Sequence, residues 1–112
     1  TGTVDVVGVD PGRAEGITGF KKITRQVEEA KRQANAHAWS SAIVTAASLA
    51  VSFSSPACKL FEFKPLENPM QHELVENPIE HEEGWVFPPE GNGLGVEIVE
   101  EVVDRFRTEN VL

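Results

Sequence analysis

The stretch Val4-Asp5-Val6-Val7-Gly8-Val9-Asp10-Pro11-Gly12 decides the fold. Its valine-rich run ends in an Asp-Pro-Gly turn signal, which reads as a strand buried in a parallel sheet. Parallel strands are joined by crossover helices, and the chain supplies them. The residues from Gly19 to Gln33 predict a helix capped by Thr18. Phe20, Ile23, Val27 and Ala30 recur at helical spacing on one face, opposite Lys21, Lys22, Arg25, Glu28, Lys31 and Arg32. Lys31 and Arg32 then fall in the last turn, where cations complement the helix dipole.

A second strand is expected over Ala34–Ala38, followed by an N-cap at Ser40 or Ser41 and a helix over Ala42–Ser54. That helix is small or apolar around most of its circumference, so it needs partners on several sides. Pro56 ends it, and Lys59–Phe63 reads as a third strand. The order β-α-β-α-β fits two crossover units. Beyond Pro65 the composition changes. Asn68-Pro69 opens a short helical turn through Val75. Ile79–Val86 suits a hairpin around Glu83-Gly84, residues 88–93 a loop, and Val99–Phe106 a short amphipathic helix.

The 112 residues carry a formal charge of −8, unevenly spread. Residues 1–60 hold 5 acids against 7 Lys/Arg, a net of +2; residues 61–112 hold 13 against 3, a net of −10. An acidic chain without a basic stripe is a poor ligand for nucleic acid or an anionic membrane. The acidic tail reads as a solvated face. Cys58 is the single cysteine, which excludes an internal disulfide and points to a reducing, cytoplasmic setting. The longest apolar run, Ala42 to Phe53, is too short to span a bilayer, and no leader segment is visible.

Three polar residues stand where the strand-like runs end: Asp10, His37 and Glu62. In a parallel α/β barrel, catalytic groups occupy the C-terminal ends of successive strands. Removing a proton next to a carboxylate needs a base of suitable pKa and a way to stabilise the enolate. His37 is the natural base. Asp10 would orient its ring, and a protonated Glu62 would donate a hydrogen bond to the substrate carboxylate. Phe61 and Phe63 flank Glu62 but point to the opposite face of a strand. Each residue also has an ordinary reading: Asp10 as a turn residue, His37 as a core or surface histidine, Glu62 as a solvent-facing edge residue.

Other clusters read more simply. His72 and His81 with Glu73, Glu80, Glu82 and Glu83 lack metal-ligand spacing. Gly91, Gly93 and Gly95 follow prolines instead of a strand, so a turn is preferred to a phosphate loop. Arg13 would touch an anionic substrate or pair with Glu15. Trp39 and Trp85 read as packing residues, and Cys58 as inert.

Residues 10–19 (Asp-Pro-Gly-Arg-Ala-Glu-Gly-Ile-Thr-Gly), His37 and Leu60-Phe61-Glu62 together resemble the end of the barrel in the enolase superfamily, mandelate racemase/muconate lactonizing enzyme subgroup. Residues 68–75 and 91–97 resemble that family's return segment, which packs on its N-terminal capping domain. The resemblance implies that Asp10 and His37 are the Asp–His dyad of the sixth and seventh strands and Glu62 the acid of the eighth. It also implies Mg²⁺ held by carboxylates on the third to fifth strands, which are absent here, as are the second base and the lid that chooses the substrate. Relatives commonly show two glycines where this chain has Glu15-Gly16.

A complete (β/α) barrel needs roughly 250 residues. The expectation is therefore an α/β C-terminal fragment of a TIM-type barrel. Residues 1–66 would supply its last three strands and two helices, and residues 67–112 the return segment. The complete enzyme would act on a small carboxylate or sugar-acid substrate as an acid-sugar dehydratase or racemase, with the isolated chain inactive. The rival reading is a non-catalytic module of the same origin. Its two open edges would pair with another copy or with the missing N-terminal part.

Overall fold

The structure is a computed structural model that describes residues 3–64 and 66–108. Pro65, where the composition changes, lies outside the described residues. The elements run β1 (Val6–Val9), α1 (Gly16–Glu29), β2 (Gln33–Ala36), α2 (Ala42–Phe53), α3 (Pro69–His72), β3 (His81–Glu82), β4 (Trp85–Val86) and α4 (Glu100–Phe106).

β1 and β2 pair in parallel, with Val6 opposite Gln33 and Val9 opposite Ala36. One face carries Val9 and Ala36, which bury against Phe20 of α1 and Val51 of α2. Val27, Ala34 and Ala57 extend this core toward the other end. The opposite face is open, with Val6, Gly8 and Gln33 exposed.

The third strand does not form as expected. The segment after α2 touches β2 through two isolated parallel bridges, Ala34 with Cys58 and His37 with Glu62. Between them β2 advances three residues and its neighbour four. One extra residue on one side is a bulge, which breaks the ladder. The bulge also switches faces. Cys58 and Phe61 pack on the helix side, while Leu60 stands exposed.

α1 starts and stops earlier than its apolar spacing suggests. Turns from Asp10 to Gly16 lead into it, and Glu15, not Thr18, occupies the N-cap, in the left-handed region at φ 58°. Thr18 is inside the helix and exposed. The helix ends in a Schellman motif. Arg32 N–H donates to Val27 O at 2.9 Å and Lys31 N–H to Glu28 O at 2.9 Å, with Lys31 at φ 55°. Lys31 and Arg32 therefore lie past the last turn, and Arg32 reaches Asp5 at 2.8 Å. No glycine marks this stop, so the sequence hid it.

Glu15 explains why a glycine suits its position. A side chain in the left-handed region costs about 1–2 kcal/mol, partly offset by the greater unfolded-state freedom of glycine. Glu15→Gly is expected to raise stability by up to ~1 kcal/mol, measured by urea denaturation. Its one ion pair among the described residues, to Lys22 at 4.0 Å, is exposed and weak.

α2 matches its expected start. Ser41 caps it, with Oγ accepting from Val44 N–H at 3.4 Å. It is better covered than its composition suggested, because α3 folds back onto it. Thr45 Oγ1 lies 3.0 Å from both Gln71 Oε1 and Ala38 O, and Gln71 Nε2 donates to Ala38 O at 3.4 Å. Thr45 and Gln71 are both buried. Phe53 at the helix end remains exposed.

In the tail, Asn68 caps α3 through Met70 N–H at 2.8 Å. β3 and β4 form the expected hairpin, with Glu83 at φ 49° and Gly84 at φ 83°. Two positive φ values are the type I′ turn that matches strand twist. Gly91, Gly93 and Gly95 all take positive φ in a loop, as a turn requires. α4 begins at Glu100 with Val99 as its N-cap, and Val99 N–H donates to Leu74 O at 2.9 Å.

Candidate functional site

The site lies on the open face, at the C-terminal ends of the parallel segments. Val9 is opposite Ala36, so the next register position sets Asp10 beside His37. His37 N–H donates to Val9 O at 2.8 Å, which confirms that continuation. His37 is in turn bridged to Glu62. The three residues therefore stand in a row across three neighbouring segment ends.

Their side chains do not all meet. His37 Nδ1 lies 2.8 Å from Glu62 Oε1. Asp10 turns to its own loop: Oδ1 accepts Gly12 N–H at 2.8 Å, and Oδ2 lies 3.5 Å from Arg13 Nε. The carboxylate that touches the histidine is thus Glu62. Arg13 pairs with Asp10, not with Glu15. The site is half open, with the His37 side chain 51% exposed and that of Glu62 34%.

Four neighbours escaped the sequence reading. Trp39 stacks on the His37 ring, with centroids 5.8 Å apart and planes 20° apart. Both tryptophans, expected as packing residues, stand exposed. Trp39 lies two residues past His37, the spacing that keeps an extended chain on one face, and that signal was available. Lys64 Nζ donates to Trp39 O at 3.4 Å. Thr45 and Gln71 reach Ala38 O, between the two rings, from residues 7 and 33 positions away, and nothing local announces them.

Among the described residues no three His, Cys, Asp or Glu side chains converge as a metal site would require. The acidic histidine cluster disperses. His72 Nδ1 contacts the Asn68 backbone, and His81 meets the Phe63 ring edge-on at 5.4 Å. Burial pushes the Cys58 thiol up from its ordinary value and Glu28 adds to this, while the nearby Ser52 and Ser55 hydroxyls act in the opposite direction. A thiol so shifted is a poor nucleophile. No helix among the described residues is long and apolar enough to cross a membrane.

The family model for the enolase C-terminal domain-like fold matches residues 1–102. The chain belongs to that family. D-galactarolactone cycloisomerase of Agrobacterium fabrum is 26% identical over 114 residues, covering 95% of this chain and 30% of that enzyme. A mandelate-racemase-like protein from Bordetella bronchiseptica RB50, solved with 2-oxoglutarate/phosphate, is 31% identical with a TM-score of 0.88. The match takes in 96% of this chain and 29% of that one. An L-alanine-DL-glutamate epimerase-like protein from Burkholderia xenovorans, solved with magnesium and fumarate, shares the fold at 22% identity and TM-score 0.81, over 91% of this chain and 25% of that one. The enolase-family chain thus spans less than a third of the relatives it matches. The matched region takes in β1, β2 and the bridged segment, so the row of Asp10, His37 and Glu62 lies wholly within it.

Proposed function

We propose that this chain forms the acid–base wall of an enzyme that abstracts the α-proton of a carboxylate substrate, as an acid-sugar dehydratase or racemase, and that it is inactive alone. The 2.8 Å contact between His37 Nδ1 and Glu62 Oε1 carries the reading. A ring held at one nitrogen by a carboxylate presents the other nitrogen as a base. His37 takes the proton. Glu62 orients it, a role that passes to Glu62 from Asp10. Asp10 stands in the adjacent register position, within the same row. The return segment, residues 67–112, would pack on a capping domain that chooses the substrate. The reading also carries a cytoplasmic setting for the reduced Cys58.

Mg²⁺ would supply enolate stabilisation in the complete enzyme. The described residues do not fit such a site: one carboxylate is bonded to His37 and the other to its own loop. No step at this wall runs through the metal.

The test has two arms. The isolated chain is incubated in D₂O with Mg²⁺ and a panel of sugar acids and mandelate-like acids, and no deuterium is expected at the α-carbon. A chimera in which this chain replaces the matching C-terminal part of the Bordetella protein is expected to incorporate deuterium. His37→Ala should lower that rate by about 10²–10⁴-fold. Equal exchange in a folded His37→Ala chimera would sink the reading.

A second reading has its own observation. Val4, Val6, Phe53, Leu60 and Trp85 are all large, apolar and exposed on one chain. Exposed apolar surface of this kind marks association sites. A non-catalytic module that pairs with itself would appear as a dimer by light scattering, with a chimera that shows no exchange.

A further inference from the structure

We infer that Trp39 is a positioning residue for His37, fixing with Glu62 the plane of the imidazole ring. The catalytic meaning of this lock rests on the base role proposed for His37; the lock itself rests on geometry alone.

An imidazole on a half-exposed side chain can rotate about its Cβ–Cγ bond and can carry its proton on either nitrogen. Two contacts remove that freedom here. Glu62 Oε1 stands 2.8 Å from Nδ1. A carboxylate accepts and does not donate, so the neutral ring places its hydrogen on Nδ1 and leaves the Nε2 lone pair bare. The Trp39 indole stacks beside the ring, strongly offset, with centroids 5.8 Å and planes 20° apart. A flip of the imidazole would break the Glu62 bond, and a tilt would break the stack.

The backbone that carries both rings is fixed as well. Between His37 and Trp39 lies the Ala38 carbonyl, which is approached by the buried Thr45 hydroxyl at 3.0 Å and by the buried Gln71 amide at 3.4 Å. Beyond Trp39, its own carbonyl accepts from Lys64. An exposed stacking pair on a mobile loop would be incidental. A pair on a peptide pinned from α2, α3 and residue 64 is held in place. Gln71 belongs to the tail, so the return segment has a part in the site: it steadies the loop that carries the base.

The test is the nitrogen and proton NMR of the His37 ring in the full chain, assigned by its disappearance in His37→Gln. The neutral ring is expected to show a protonated Nδ1 and a bare Nε2, with its carbon-bound protons moved upfield by the indole. Glu62→Ala should release the ring to the Nε2–H form. Trp39→Leu should abolish the upfield shift and average the ring signals, and Trp39→Phe should restore most of both. A wild-type ring protonated on Nε2, or signals indifferent to Trp39→Leu, overturns the inference. Circular dichroism confirms that each variant is folded. Deuterium exchange is read separately. A locked ring without exchange in the chimera removes the catalytic role and keeps the lock. Exchange with a free ring removes the lock and keeps the catalytic role.

Discussion

Phe20→Ala is expected to destabilise the chain by about 3–5 kcal/mol, the usual cost of removing a buried aromatic ring. The ring is completely enclosed and packs with Val9, Ala36 and Val51, so it joins both strands and both large helices. A domain of this size has about 5–15 kcal/mol to lose, so the variant stands near the unfolding threshold. Urea denaturation followed by circular dichroism measures the loss. Phe20→Leu, which keeps most of the volume, serves as the control. A loss below ~1 kcal/mol for Phe20→Ala would show that the site collapses around the cavity and that the ring is not the keystone of this core. The candidate site is tied to the same contact, because Val9 and Ala36 immediately precede Asp10 and His37. A cavity beneath them loosens the ends on which the row of polar residues stands.

Gly19→Ala is expected to cost about 1–3 kcal/mol, against the gain of up to ~1 kcal/mol that alanine ordinarily brings to a helix interior. Gly19 is buried in the first turns of α1, where the chain has just left the Asp10 loop. A Cβ there would stand 2.7 Å from the Ala14 carbonyl carbon and closer still to its oxygen. Backbone cannot rotate away as a side-chain tip can, so the helix start must shift. Thr18→Ala, one residue earlier and exposed, should stay within about 0.5 kcal/mol. Thermal unfolding of the pair separates the effects. A Gly19→Ala variant as stable as Thr18→Ala would mean that the loop before α1 yields freely.

The parts of the fold legible in the sequence were those announced within a few residues. Val4–Val9 before Asp-Pro-Gly placed β1. Ser41 and Asn68 marked their helix starts by supplying side-chain oxygens to orphan amides, and Glu83-Gly84 marked the hairpin turn. The misreadings also have local causes. α1 begins at a left-handed Glu15 and ends at a left-handed Lys31, two conformations that glycine normally advertises. With other residues there, the apolar spacing carried the expected boundaries three or four residues too far. The third strand looked regular because alternation cannot reveal an inserted residue, and the bulge appears only when the partner's register is known.

By itself, the sequence determined the α/β order, the Ser41 and Asn68 caps, the hairpin, the membership of the chain in the enolase family and the three polar residues at the segment ends. The tertiary structure alone decided which of them touch. His37 meets Glu62, Asp10 keeps to Gly12 and Arg13, Trp39 stacks offset beside the imidazole, and Gln71 reaches from the tail to the Ala38 carbonyl between the two rings. The physical reason is range. Propensity and capping act over one helical turn, whereas a hydrogen bond between residues 25 or 33 positions apart depends on sheet register, a bulge and the seating of one helix on another. A shift of one residue in that register would turn His37 toward the core, and the candidate site would be lost with no change in the sequence.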